Sequence, residues 1–436
     1  MAVKGTHEQE FPDERTEEHG NRDETPARIS DNALERRSKR WLAKGPYDCF
    51  VQVAPGLESV LAEELLDLGL TSGRNELSVA RGGIGLVLDS AGIMRANLQL
   101  RTAGRVMLRL GSFPALNREM LYDRARKLAW EVQVGADGGY RLRVTSKNSK
   151  LLAGDEVTNT VASAISRHMR EFGLYPKPTA DAPLEFHVRL LDDRCTISLN
   201  TSGELLHRRG MRTHVSAAPL RETLAAAVAI LGLGESQAAP DVIVDPFCGS
   251  GTLLIEVADL LAGLAPGRQR DFAFQNAAWF REGRWREARR QAEATSNRPG
   301  DAAGETPTVS ATRLLGIDTD TKALEAARTN LAAAGHDIEL IAGDSTTFGY
   351  QNLSAQRGLV ISNLPYGVRL GDSREAATLT KSFLDRLAAS GAGWRLALLV
   401  KDADPLTSHE AFEVDSTIST INGGVPVVLV TGRLRV

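Results

Sequence analysis

Only three cysteines occur in 436 residues, and Cys49, Cys195 and Cys248 stand far apart without a CxxC pair. That spacing argues against a zinc site or a disulfide framework and fits a reducing cytosol, so a cytoplasmic protein without a metal is expected. Long apolar runs are missing as well. No stretch approaches the roughly eighteen uncharged apolar residues of a membrane span. The first forty positions are polar and charged, unlike a secretory signal. Charge of one sign is also scarce: the formal net charge is -3, but positions 1–31 hold nine acidic residues against four basic ones. The rest of the chain is therefore slightly basic, most visibly between Arg141 and Arg212, where twelve Lys/Arg face eight Asp/Glu. Such a mild bias is not by itself a nucleic-acid signature. With 42% hydrophobic residues and this length, two to four domains with buried cores are expected.

No internal repeat is visible. Residues 1–44 lack apolar periodicity and read as a disordered leader, with a short helix near Leu34 to Trp41. From 45 to 112 the pattern is β-α-β-β-α-β, the split unit of a ferredoxin-like domain. Residues 113–203 carry a helix from Asn117 to Trp130, a strand, a helix with Val157, Val161, Ile165 and Met169 recurring every four residues, and two strands joined at Asp192-Asp193. This predicts a second small α+β module. From 204 to 436 strands and helices alternate, with strands at Val242 to Val244, Leu314 to Ile317, Ile338 to Ile341, Leu359 to Ile361, Leu396 to Val400 and Val427 to Val430. Alternation of this kind predicts a parallel, doubly wound α/β sheet. Residues 265–311 interrupt it as a loop insertion, whose second half is rich in Pro, Gly, Ser, Thr and Asn.

The first of those strands runs into Asp245-Pro246-Phe247-Cys248-Gly249-Ser250-Gly251-Thr252 and then an apolar helix. Glycines let a backbone approach a ligand closely, and a helix start offers free N–H groups. A P-loop needs a lysine that is missing. A dinucleotide loop needs a small residue where Leu254 stands and an acid about twenty residues on. S-adenosylmethionine remains, its cationic amino-acid end suited to Asp245, with Phe247, Gly249, Gly251 and Thr252 lining the loop. Asp318 follows the second strand, where a carboxylate can accept both hydroxyls of a ribose. Asp344 follows the third and could accept from an adenine amine.

After the fourth strand comes Ser362-Asn363-Leu364-Pro365-Tyr366-Gly367. Methylating a planar amine requires its delocalised lone pair to be turned toward the methyl group. The Asn363 side-chain oxygen and the Leu364 carbonyl would grip both N–H groups and achieve this. Pro365 stiffens the turn and Tyr366 offers a face for a base.

The chain resembles the THUMP-domain RNA guanine-N2 methyltransferases, the group holding the bacterial 23S ribosomal RNA enzymes and the tRNA position-6 enzymes. Besides the glycine loop and Asn-Leu-Pro-Tyr, the resemblance rests on Ala54-Pro55-Gly56-Leu57-Glu58, on Ala96-Asn97-Leu98 with Arg101, and on Leu206-His207-Arg208-Arg209-Gly210. Ala218-Pro219-Leu220-Arg221-Glu222-Thr223-Leu224-Ala225 and, in the insertion, Ala265-Pro266-Gly267-Arg268 with Phe272 and Phe274 extend it. It implies ferredoxin-like and THUMP modules ahead of a Rossmann-like class I S-adenosylmethionine-dependent methyltransferase domain. It also implies an RNA partner, either tRNA or 23S rRNA; the clustered Arg208, Arg209 and Arg212 are expected to place phosphates, and a monomer is expected. Two departures stand out: Leu364 replaces the first proline of the commoner Asn-Pro-Pro-Tyr, and one catalytic domain stands where the ribosomal enzymes fuse two. A protein-glutamine or adenine-N6 methyltransferase, and a non-catalytic RNA binder, are the competing readings; guanine N2 rests on the resemblance alone.

Overall fold

The computed structural model describes residues 26–136, 138–210, 220–234, 239–296, 312–353, 355–365, 373–389 and 393–435. The chain enters through helix α1 (Asp31–Lys44), whose first turn is capped by the Ser30 hydroxyl accepting from Ala33 N–H. Then come β1 (Tyr47–Val53), α2 (Glu58–Asp67), β2 (Ser78–Ala80), β3 (Gly83–Leu88), α3 (Ser90–Gln99) and β4 (Ala103–Pro114). The next group is α4 (Arg118–Ala125), α5 (Trp130–Val134), β5 (Tyr140–Lys147), α6 (Asp155–Arg170), β6 (Leu184–Leu191) and β7 (Arg194–Asn200). These seven strands form one sheet in the order β2-β3-β1-β4-β7-β6-β5.

Alternation explains its layering. In β1 every second residue, Cys49, Val51 and Val53, is buried, as Phe186, Val188 and Leu190 are in β6. Helices α2, α3, α4 and α6 pack on that apolar face. Helix α6 presents Val157, Val161, Ile165 and Met169 to it, as its four-residue recurrence predicts. Asp155 and Glu156 at its start and Arg167 and Arg170 at its end complement the helix dipole.

The second half holds α7 (Glu222–Leu233), β8 (Val242–Asp245), α8 (Thr252–Leu261), α9 (Glu282–Ser296), β9 (Arg313–Asp318), α10 (Thr321–Ala334) and β10 (Glu339–Ala342). It ends with β11 (Gly358–Asn363), α11 (Ser373–Ala388), β12 (Arg395–Val400), α12 (Asp404–Thr407), β13 (Phe412–Asn422) and β14 (Val425–Leu434). The sheet order is β10-β9-β8-β11-β12-β14-β13. Strands β8 to β12 are parallel, and the order reverses between β8 and β11 as a doubly wound sheet requires.

Several expectations need correction. The sheet is mixed, because β14 runs antiparallel to β12 and pairs with β13, a strand too polar to stand out in the sequence. The two N-terminal modules share one sheet, since β4 runs past the expected boundary at 112 and pairs with β7 from Met107 to Pro114. The Asn117 to Trp130 helix breaks into α4 and α5, with the Trp130 indole donating to the Ala125 carbonyl. In the leader, residues 31–44 are a docked helix: Arg37 bonds Glu131, and Trp41 stacks on Tyr47 at 4.1 Å. Residues 1–25 lie outside the described residues.

The insertion is no simple loop either. Phe272, Phe274, Trp279 and Trp285 form an aromatic cluster against the first sheet's domain. The Trp279 indole donates to the Gln133 side chain, and Gly267 N–H donates to the Leu98 carbonyl. A β-carbon at Gly267 would stand 3.0 Å from that oxygen and 2.7 Å from Phe272, so glycine is what lets the insertion close on α3.

Candidate active site

Four neighbouring strands, β10, β9, β8 and β11, carry the chemistry-bearing residues at or just beyond their carboxyl ends: Asp344, Asp318, Asp245 and Asn363. At the usual strand spacing this row covers roughly 14 Å. Strand β8 ends its wholly buried run in Asp245, which is 1% exposed. One of its oxygens accepts from the Ser362 hydroxyl at 2.8 Å and from Phe247 N–H at 3.2 Å. Burial pushes the Asp245 pKa up to about 7, against the lowering effect of those two hydrogen bonds and with a further push from the neighbouring Asp318 charge.

The turn after Asp245 depends on two glycines. Gly249 and Gly251 hold φ of 51° and 80°, the left-handed region that side chains disfavour. A β-carbon on Gly249 would meet nothing within 4 Å, whereas one on Gly251 would press Ala327 of α10 at 3.3 Å. Gly249 therefore borders open space, and Gly251 lets α8 and α10 approach. Cys248 N–H donates to the Ile317 carbonyl, and Gly249 N–H donates to Asp318 at 2.8 Å. Asp318 also accepts from Asp320 N–H through its other oxygen, so its carboxylate is fixed across the loop. Thr252 is buried in the first turn of α8, and the Phe247 ring stands edge-on to Phe383 at 5.5 Å. Asp344 is exposed, and one oxygen caps its own turn by accepting from the amide and hydroxyl of Thr346.

Asn363 is the last residue of β11. Its Oδ1 is buried and has no hydrogen-bond partner among the described residues. A buried acceptor left unpaired costs about 1–3 kcal/mol, a cost that a ligand N–H placed there would remove. Leu364 N–H donates to the Leu399 carbonyl at 3.0 Å, pinning the peptide that follows Asn363, while the Leu364 side chain is buried in the core. Pro365 is half-buried, and Tyr366 lies outside the described residues. Ser362, absent from the sequence-based candidates, ties the glycine loop to the Asn363 strand; its place directly before Asn363 was the only signal.

The arginine triplet divides. Arg209 is 4% exposed: it donates to Glu256 at 3.0 Å and to the Leu206 and Arg101 carbonyls. It cannot meet a phosphate there, and the expectation for it is overturned. It belongs to a buried network in which Arg101 reaches Glu256 and the carbonyls of Asp259 and Leu264, while Glu64 accepts from the Arg101 and Thr102 amides. The network rivets α2 and the turn after α3 to α8. Arg208 is exposed beside Glu204, and Arg212 lies outside the described residues.

The residues present fit S-adenosylmethionine. Acids follow three successive strands, an open space borders Gly249, and an unpaired acceptor stands at the next strand. No group of three or more His, Cys, Asp or Glu suited to a metal occurs among the described residues, and no helix among them is long and apolar enough to cross a membrane.

Comparison with known proteins agrees with this layout. Residues 48–107 match the RlmL ferredoxin-like domain, 116–200 the THUMP domain, and 209–426 the RMKL-like methyltransferase domain. The chain is 34% identical to the ribosomal RNA large subunit methyltransferase K/L of Pseudomonas paraeruginosa over 80% of its own length and 47% of that protein's. It thus spans about half the length of the curated relatives it matches. Among solved structures, SMU.472, assigned as a methyltransferase and crystallised with SAH, superposes with a TM-score of 0.76 at 28% identity, over 89% of this chain and 98% of that one. A Listeria monocytogenes protein assigned as an N6-adenine-specific DNA methylase superposes with a TM-score of 0.75 at 26% identity, over 90% and 97% of the two chains. The methyltransferase match covers half of the 436 residues and is preceded by both N-terminal domain matches, and the chain belongs to the RMKL-like methyltransferase family.

Proposed function

We propose that this protein methylates the N2 exocyclic amine of a guanosine in RNA, using S-adenosylmethionine. One observation carries the reading: the order Asp344, Asp318, Asp245, Asn363 along adjacent strands runs from an adenine acceptor through a ribose acceptor and a cation partner to an amine acceptor. When bound, S-adenosylmethionine supplies an electrophilic methyl group on a sulfonium. Everything else is positioning by the chain. Asn363 Oδ1 and the Leu364 carbonyl each accept one N–H of the target amine, which turns the nitrogen lone pair out of conjugation. The Leu364 carbonyl is a backbone group available whatever the side chain, so leucine serves in place of proline, and its N–H adds a bond to the Leu399 carbonyl that proline could not make. Tyr366 stacks on the base. No strong base is required, because the amine becomes acidic once methylated and its proton leaves to solvent.

RNA as substrate is supported by the THUMP match and by the ribosomal RNA relatives, which favour ribosomal over transfer RNA. Adenine N6 is the second reading, favoured by the assignment given to the Listeria neighbour. Methyl transfer from labelled cofactor to separated ribosomal and transfer RNA, taken from a strain lacking the protein and followed by nucleoside analysis, separates them. N2-methylguanosine is expected; N6-methyladenosine or label on protein alone overturns the proposal. The three buried thiols suit a reducing cytoplasm, and a monomeric mass in light scattering is expected.

A further inference from the structure

Residues 201–210 lead from β7 toward the catalytic half without regular structure of their own, and the insertion lies along them. Arg270 of the insertion grips this joint. One of its terminal nitrogens donates to the carbonyls of Leu205 at 2.8 Å and Arg208 at 2.9 Å, and the other to those of Ser202 at 3.1 Å and Glu204 at 2.9 Å. A planar guanidinium carries its donors in a fixed fork, so the relative places of these four carbonyls are set by one rigid group. Burial and the neighbouring Arg209 lower the Arg270 pKa to about 10 against the pull of Glu204, which leaves the group charged at neutral pH.

Glycines bracket the grip. Gly203 and Gly210 hold φ of 76° and 88°; a β-carbon would press Ala273 at 3.3 Å from the first and run into the Gln269 carbonyl oxygen from the second. On either side of Arg270 the same short stretch of insertion holds both halves of the molecule. Gly267 N–H donates to the Leu98 carbonyl in α3, and Phe274 N–H donates to the Thr201 carbonyl just beyond β7. Arg268 makes a bidentate pair with Asp259 of α8, at 2.6 and 2.8 Å, and α8 is the helix that starts at the glycine loop. The buried Arg209–Glu256 pair already fastens the two halves together. What Arg270 adds is the course of the chain between them.

Resting on the RNA-methyltransferase reading, we infer that Arg270 is a positioning residue: by fixing the joint it sets where RNA held by the N-terminal half meets the carboxyl edge, and so which guanosine amine reaches Asn363. Misplacing a reactant by about 1 Å can cost about a hundredfold in rate. None of the groups that Arg270 bonds belongs to the cofactor site, so its loss acts on orientation rather than on cofactor contacts.

The test uses the full-length protein, ribosomal RNA from a strain lacking it, and the variants Arg270→Ala, Arg270→Lys and Gly210→Ala, the last of which pushes the joint off the insertion with Arg270 intact. Single-turnover methyl transfer at saturating RNA is read beside cofactor and RNA affinity, and mass mapping of nuclease fragments locates the methyl group. Arg270→Ala and Gly210→Ala should lose about ten- to a hundredfold in rate while both affinities stay within about twofold, and methyl should appear at guanosines the wild type leaves alone. Arg270→Lys keeps the charge and can donate about three hydrogen bonds at most, so it should recover part of the rate. A wild-type rate in Arg270→Ala, or an affinity loss that accounts for the lost activity with the methylated position unchanged, overturns the inference while the methyltransferase reading stands. If Arg270→Ala fails to fold, Arg270→Lys and Gly210→Ala carry the test; if those fail as well, the contact serves folding and the inference falls. A wild-type protein that methylates no RNA overturns both.

Discussion

In β6, Phe186, Val188 and Leu190 face the core while Arg189 between them is exposed; in β11, Leu359, Val360 and Ile361 are all inaccessible. Leu359 and Ile361 belong to the core shared with the N-terminal half, and Val360 to a separate core beneath α11. A sheet covered on one face needs alternation, and a sheet between two helical layers needs a continuous apolar run. The difference assigns the work. The sheet with both faces covered can act only at its ends, which is where Asp245, Asp318 and Asn363 stand. The other carries helices on one face only among the described residues.

The sharpest way to break this comparison is to disconnect the two sheets. Arg209→Ala leaves the buried Glu256 carboxylate of α8 without its bidentate partner, and only Arg101, in the turn after α3, remains at 3.8 Å. A loss of about 3–5 kcal/mol is expected, as when one member of a buried ion pair is removed. Urea denaturation measures it, and a stability within about 0.5 kcal/mol of wild type would show that the domains do not lean on this contact.

Adjacent truncations probe the layering itself. Ile361→Ala should cost about 2–5 kcal/mol and its neighbour Val360→Ala somewhat less, because each faces a filled core. In β6, Leu190→Ala should cost a similar 2–5 kcal/mol while Arg189→Ala stays within about 0.5. Equal costs at Leu190 and Arg189 would mean that the open face is covered after all.

At the carboxyl edge, Asn363→Ala should lower the methyl-transfer rate at least about a hundredfold in single turnover while cofactor affinity holds. The substitution removes an acceptor without a partner among the described residues, so little stability should be lost. A rate near wild type would move the amine acceptor elsewhere.

What the sequence revealed followed the same division. The acids of the covered sheet were legible because each follows an apolar strand, so position could be read from the end of the run. Asn363 was legible from its tetrapeptide. Strand β13 was not, since Glu413, Asp415, Ser416 and Thr417 give an edge strand no apolar signal. Helix α9 was hidden inside an insertion judged by its Pro- and Gly-rich end, although Trp285, Ala288 and Ala292 bury one stripe of it. Arg209 misled because three clustered arginines look like a phosphate site; the partner that buries it, Glu256, lies 47 residues away. The clustering of arginines on the first sheet was invisible for a related reason. Arg105, Arg143 and Arg189 sit on different strands, and only strand order makes them neighbours.

The smallest expected effect is a pH dependence that separates the ligand-free protein from its complex. Asp245 has a folded pKa of about 7 against an ordinary 3.8, mainly because it is buried. An acid whose folded pKa is raised takes up its proton more readily in the folded state. Its contribution to stability is therefore fully present below about pH 4 and lost as pH rises through 7, a change of at most about 4 kcal/mol. A cationic ligand reverses the preference, since it favours the ionised carboxylate. Cofactor affinity should accordingly fall as pH drops below about 7, by no more than about tenfold per unit, while ligand-free stability rises over the same interval. Asp245→Asn, which keeps an acceptor for the Ser362 hydroxyl, should flatten both curves. Calorimetric titrations at pH 6, 7 and 8, paired with urea melts, read the two slopes. Slopes of the same sign, or an unchanged pH profile in Asp245→Asn, would remove Asp245 as the charge that meets the cofactor.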